Sequence, residues 1–227
     1  MRALIVRQSD GTPPGTTNSI LQNLGWSIDE IFVYRGEPLP KPGEHRLVVL
    51  CGGGPNVDEV DKYPWLIQEK EFIGQILKLP EVKIIGLCLG AQLIAEALGA
   101  RVSRHHDWEV GWYDVWIQPD GKWIKEEKIL KVFQYHQYSF DTPNGAVRIA
   151  TNHFCEHQGF VWQDRVIAFQ FHPETSIEWS DECAEDRDFP STGKLQNSGV
   201  IKELGRKHQP TLQQWYAEVL STAPVQL

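Results

Sequence analysis

The sequence predicts an α/β fold: an open, mostly parallel β-sheet with helices on both faces and antiparallel strands added in its second half. Three observations predict it. Largely apolar runs of strand length, Leu47–Cys51 and Val82–Leu87, are separated by a segment of helical periodicity, as buried parallel strands and their crossover helices are. One of these runs passes straight into a helix through Gly86-Leu87-Cys88-Leu89-Gly90. From Val110 onward, strand-like runs follow one another with few helices between.

The elements follow in order. Leu4–Val6 is a short buried strand, and the Gly- and Pro-rich Ser9–Thr17 stretch is a loop. Asn18 is the expected N-cap of a helix carrying Ile20, Leu21 and Leu24, stopped by Gly25. A second strand is expected over Ile28–Tyr34, then a Pro-rich connection from Gly36 to Gly43. Leu47–Cys51 ends in Gly52-Gly53-Gly54-Pro55. Leu66, Phe72, Ile73, Ile76 and Leu77 give the apolar face of a helix over Tyr63–Leu79. After the Val82–Leu87 strand, a helix over Leu89–Leu98 is closed by Gly99. Val110–Ile117, Val132–Tyr138, Val147–Ala150 and Val166–Phe171 are strands, with turn signals at Asp120-Gly121 and Asn144-Gly145. Asp181–Asn197 is polar and mostly irregular, and Thr211–Leu220 is a terminal amphipathic helix.

With 227 residues, no internal repeat and no linker, a single domain over 1–227 is the simplest organisation. A formal charge of −8 argues against nucleic-acid and acidic-membrane partners. Cys51, Cys88, Cys155 and Cys183 are widely spaced and fit reduced thiols rather than a disulfide framework. The opening Met1–Arg7 is too short for a signal peptide or membrane span, so a cytoplasmic protein is expected.

Cys88 is the first candidate for chemistry. A strand-to-helix turn this sharp needs small flanking residues, which Gly86 and Gly90 supply, and it lifts the side chain above the strand ends. The helix N-terminus favours thiolate over a thiol whose reference pKa is about 8.5. A small core cysteine between closely packed glycines would share this pattern. The discriminating feature lies downstream, in Phe169-Gln170-Phe171-His172-Pro173-Glu174. Pro173 keeps His172 extended, and residues two apart on an extended chain share a side. Glu174 can then accept the ring N–H of His172 and leave its other nitrogen for Cys88. Acyl transfer also needs an oxyanion hole. The N–H of Leu89 and the Gly52–Pro55 turn are the candidates.

Gly-Gly-Gly-Pro, Gly-Leu-Cys-Leu-Gly-Ala-Gln and Gln-Phe-His-Pro-Glu, in this order, resemble the class I glutamine amidotransferases. Tyr63-Pro64-Trp65-Leu66, Glu109-Val110-Gly111-Trp112, Tyr135-His136 and Phe140-Asp141-Thr142-Pro143 are similar to the narrower GMP synthase-like group. The likeness runs from about Val48 to Glu174. It implies a flavodoxin-like fold and a cofactor-free glutaminase with catalytic Cys88, His172 and Glu174. It further implies oxyanion donors at Gly54 or Gly53, and an amino-acid pocket formed by Gln92, the backbone of Glu109–Gly111, and His136 with the residues after it. His136-Gln137-Tyr138 departs from the His-Gly-Asp of many relatives, so that pocket is expected to be altered. Family members that use ammonia have a synthetase domain fused or recruited, and none follows Leu227. Three activities therefore stay open: a glutaminase serving an ammonia-accepting synthetase, a stand-alone γ-glutamyl peptide hydrolase, and a non-catalytic thiol sensor or scaffold.

His153, Cys155 and His157 would share one face if extended, but no fourth ligand is near, and no metal site is expected. His105-His106-Asp107 is expected to be a polar loop. Trp108, Trp112, Trp116 and Trp123 are expected to pack, with a pocket wall as the alternative.

Overall fold

The computed structural model describes residues 1–186, 190 and 192–222. Its strands join one sheet. Strand β1 (Arg2–Arg7) is flanked in parallel by β2 (Ser27–Phe32) and β3 (Leu47–Leu50). β3 continues in parallel to β4 (Lys83–Leu87), and β4 to β9 (Val166–Phe169). Beyond β9 the direction alternates through β8 (Gly159–Trp162), β7 (Ala146–Thr151) and β5 (Val102–Ile117). β6 (Lys128–Phe140) pairs with β5 antiparallel, and β10 (Gly193–Leu195) pairs with β5 in parallel.

Two apolar layers flank this sheet, divided by the strict alternation of strand side chains. Ala3, Ile5, Leu47, Val49, Ile85 and Leu87 face one layer, where helix α1 (Thr17–Asn23) and helix α5 (Ser198–Ser221) contribute Ile20, Leu21, Trp215 and Tyr216. Leu4, Val6, Val48, Leu50 and Ile84 face the other, against α2 (Trp65–Ile76) and α3 (Leu89–Ala97). This mostly parallel sheet with helices on both faces is the α/β, flavodoxin-like architecture that the sequence predicts. Among the described residues no helix is long and apolar enough to cross a membrane.

Several boundaries differ. Helix α1 starts at Thr17, with Thr16 at the cap position and no side-chain cap, so Asn18 lies inside the helix. β2 stops at Phe32 and turns through a 3-10 helix at Val33–Arg35. His105-His106-Asp107 is part of β5 rather than a loop, although the pairing with β6 shifts between Arg104 and Glu109. β8 has no counterpart among the expected strands. Asn144-Gly145 joins β6 to β7, which are not sheet neighbours. Asp181–Asn197 contains the end of α4 (Ile177–Ala184) and all of β10; residues 187–189 and 191 of that stretch lie outside the described ones. Helix α5 begins 13 residues before Thr211 and runs through Pro210, capped by Asn197, whose side chain accepts from Val200 N–H.

Candidate active site

The C-terminal ends of β3, β4 and β9 lie side by side, and each carries one of the sequence motifs. That is where open α/β sheets place their ligands. β3 delivers Gly52-Gly53-Gly54, β4 delivers Cys88, and β9 delivers Gln170 to Glu174. The backbone N–H of Cys88 donates to Phe169 O at 2.8 Å, which ties the second segment to the third.

Cys88 has φ +49° and ψ −107° and caps α3 at its N-terminus. A non-glycine residue in this region is strained and needs close support. The support leaves no room for flanking side chains. A Cβ on Gly90 would lie 2.2 Å from Leu50 O, and one on Gly86 would lie 2.9 Å from the Ala91 backbone. Both glycines are therefore required by contact.

His172 and Glu174 are buried. His172 Nδ1 donates to Glu174 Oε1 at 2.8 Å, and the Cys88 sulfur acts on the same imidazole. The ring is held from several sides. Its backbone N–H donates to Phe133 O at 2.9 Å, and Thr175 Oγ1 donates to its carbonyl at 2.7 Å. The Trp179 ring stands edge-on to it, 4.8 Å between centroids, and is fixed by an Nε1–H bond to Gly11 O at 2.8 Å. Burial opposes a charge on His172, but the Glu174 carboxylate and the Cys88 sulfur outweigh it and push the imidazole up to about 10.

The glycine turn meets these groups directly. A Cβ on Gly52 would be 2.9 Å from His172 Cε1 and 3.4 Å from Cys88 Cβ. One on Gly53 would be 2.9 Å from Gln8 Cβ and Leu89 Cδ2, whereas Gly54 has open space. Among the described residues, no backbone carbonyl accepts from the N–H of Gly53, Gly54 or Leu89.

A cleft of about 490 Å³ opens over Cys88 and is lined also by Gly53, Gly54, Leu89, Gln92 and His136. Of the pocket residues expected from the sequence, Glu109 and Gly111 do not line it. Glu109 is fully buried, accepting from Asn152 Nδ2 at 2.7 Å and Gln158 Nε2 at 2.9 Å, with His136 Nε2 at 3.3 Å. Burial raises its carboxyl, yet His136 and Lys194 more than offset this and hold it below the usual range. Gly111, at φ +125°, is covered by Gln196, whose Oε1 accepts from Trp112 N–H at 2.8 Å. Trp112 and Trp123 are core residues, while Trp108 does line the cleft.

His153, Cys155 and His157 lie between β7 and β8, not on a strand, and turn to different partners. His153 meets the Trp116 ring, Cys155 Sγ is 3.1 Å from Ser139 Oγ, and His157 Nδ1 is 3.0 Å from Thr142 Oγ1. Trp179 and Gln170 are contacts that sequence reasoning assigned no role, and Gly52 was named only as part of the glycine turn. Gln170 lies inside the quoted Gln-Phe-His-Pro-Glu motif, so a signal for it was present; nothing marked Trp179.

Residues 37–186 match the family Glutamine amidotransferase class-I. The chain belongs to the class I glutamine amidotransferases. Among solved structures, a glutamine amidotransferase from Thermotoga maritima superposes with a TM-score of 0.89 at 31% identity, over 99% of each chain. A glutamine amidotransferase-like protein of Schizosaccharomyces pombe is 33% identical over 118 residues, 51% of this chain and 48% of that protein. The match thus spans about half the length of that relative. A glutamine-hydrolyzing GMP synthase subunit from Thermoplasma acidophilum is 30% identical over 136 residues, 56% of this chain and 61% of that protein. Membership of the glutamine amidotransferases implies enzymatic hydrolysis or transfer of the glutamine amide.

Proposed function

We propose that this chain, acting as a single amidotransferase domain, hydrolyses the γ-amide of glutamine through Cys88, His172 and Glu174, with a γ-glutamyl thioester as intermediate. The observation that carries this reading is the 2.8 Å bond from His172 Nδ1 to Glu174, on an imidazole that also meets Cys88 at a strained helix N-terminus.

The Cys88 sulfur attacks the γ-carbonyl carbon as a thiolate, opposite the His172 imidazolium. The carbonyl oxygen becomes an oxyanion, received by the N–H of Leu89 and one from Gly53 or Gly54. The C–N bond breaks and ammonia leaves with the proton from His172. Water then adds to the thioester and gives its proton to His172. The C–S bond breaks, glutamate is released and the thiolate is restored. Glu174 keeps the ring oriented and supports its positive charge throughout. We assign the amino-acid end of the substrate to Gln92 and His136, with Glu109 and Gly111 shaping that wall from behind. The free thiols at Cys51, Cys88, Cys155 and Cys183 suit a reducing, cytoplasmic setting.

The likeness to a GMP synthase subunit supports an ammonia-accepting synthetase partner. The size of the cleft favours a second reading, since about 490 Å³ falls in the range of about 300–1,000 Å³ typical of sites for whole small molecules. A γ-glutamyl peptide would fill it better than glutamine. The test is glutamate release from glutamine and from a panel of γ-glutamyl peptides, with Cys88→Ala alongside. Peptide turnover lost in the variant supports the stand-alone hydrolase, and slow turnover of glutamine alone supports the partner-dependent glutaminase. No release from any substrate, with Cys88 unlabelled by an electrophilic glutamine analogue, would leave the thiol sensor or scaffold.

A further inference from the structure

Cys88 has a neighbour beyond His172 that the mechanism above does not use. Gln170 is fully buried, and its Nε2 lies 3.7 Å from Cys88 Sγ. Its Oε1 accepts from Gln92 Nε2 at 3.1 Å, and its backbone N–H donates to Gln158 O at 2.9 Å.

The orientation of both amides follows from a chain of donors and acceptors. Tyr138 O can only accept, and it lies 3.3 Å from the Gln92 amide, so Gln92 turns its NH2 that way. The second hydrogen of the same NH2 is directed at Gln170, which must answer with its oxygen. Gln170 then has only its NH2 to present to sulfur. A flipped Gln170 would set its nitrogen against the Gln92 nitrogen and its oxygen against the sulfur, losing both bonds.

We infer that Gln170 is a second donor to the Cys88 sulfur, stabilising it as the thiolate nucleophile, and that Gln92 is the positioning residue that fixes the direction of the Gln170 amide. An N–H bond to an ionised sulfur is stronger than one to a neutral thiol, so the contact selects the reactive form. Gln92 therefore does more than line the cleft: its NH2 is committed to Tyr138 and Gln170. This inference rests on Cys88 being the nucleophile, as proposed above.

The test is the rate at which iodoacetamide alkylates Cys88 as a function of pH, read by mass spectrometry on the peptide carrying Cys88. The variants are Gln170→Leu, Gln170→Glu, Gln92→Leu and the Gln92→Leu/Gln170→Leu double. Gln170→Glu keeps the shape of the side chain while removing its donors, which guards against a misfolded leucine variant. Gln170→Leu is expected to slow alkylation about tenfold at neutral pH, to move the half-maximal pH upward, and to leave the alkaline plateau unchanged. Gln170→Glu should shift in the same direction. Gln92→Leu should shift by less, and the double variant by no more than Gln170→Leu alone. Curves for both Gln170 variants that superimpose on wild type would overturn the inference, as would a uniform slowing at every pH or additive effects of Gln92 and Gln170. Alkylation requires no glutamine turnover. A shifted curve without glutaminase activity would therefore count against the proposed reaction alone, and turnover without a shift against the Gln170 donor alone.

Discussion

His172 and Glu174, two residues apart on an extended segment, form a buried 2.8 Å hydrogen bond between Nδ1 and Oε1. The bond fixes the ring's orientation and leaves its other face to Cys88. Glu174→Gln keeps the shape but replaces the carboxylate that supports the imidazolium. Glutamate release should fall by on the order of 10²- to 10⁴-fold while the protein stays folded. Steady-state turnover of the purified variant checks this, and near-wild-type turnover would remove Glu174 from the mechanism.

The same pair predicts a pH dependence of stability. His172 is raised from 6.5 to about 10 by its neighbours, so the folded state holds its proton more tightly than the unfolded chain. That stabilisation is fully present below about pH 6.5 and is lost as pH rises through about 10. The melting-temperature gap between wild type and His172→Gln should therefore be widest in mild acid and close toward pH 10. A gap that widens with pH would contradict the assignment.

Glu69 predicts a loss of stability with rising pH as well, over a lower range. Burial raises its carboxyl to about 7, against the bond it accepts from Gln8 Nε2 at 2.7 Å. Ionising it in the folded state costs stability above the unfolded pKa of about 4.5, and the cost levels off above about 7. Glu69→Gln should stabilise the protein by on the order of 1–3 kcal/mol at pH 8 and have little effect near pH 4.5. Thermal melts at the two pH values decide it.

The glycine turn separates contact from mere flexibility. Gly54→Ala meets open space and keeps its N–H, so activity should stay within about twofold of wild type. Gly52→Ala would press on His172 Cε1 at 2.9 Å and should cost on the order of 10²-fold in turnover. Equal effects of the two substitutions would refute this reading of the turn.

The legible parts of the protein were those whose meaning is local. Gly86, Cys88 and Gly90 specify a sharp strand-to-helix turn within five residues, and His172-Pro173-Glu174 sets its own side-chain geometry. Elements fixed by distant partners were not legible. Arg104, His105, His106 and Asp107 are polar, yet they continue β5, which pairs with the long β6 on both sides of the shift between Arg104 and Glu109. Pro210 hid the first half of α5, although Asn197 and Ser198 carry a capping signal upstream of it. The Gln170–Cys88 contact spans 82 residues of sequence, and only the parallel pairing of β4 with β9 creates it.

The central claim is that Cys88 takes up a γ-glutamyl group from its substrate. Acid quenching of the protein during turnover of glutamine or a γ-glutamyl peptide, followed by mass spectrometry, tests it most directly. A γ-glutamyl adduct on the peptide carrying Cys88, absent from Cys88→Ala, is the predicted result. Glutamate release with no adduct at Cys88, and with turnover surviving in Cys88→Ala, would contradict it.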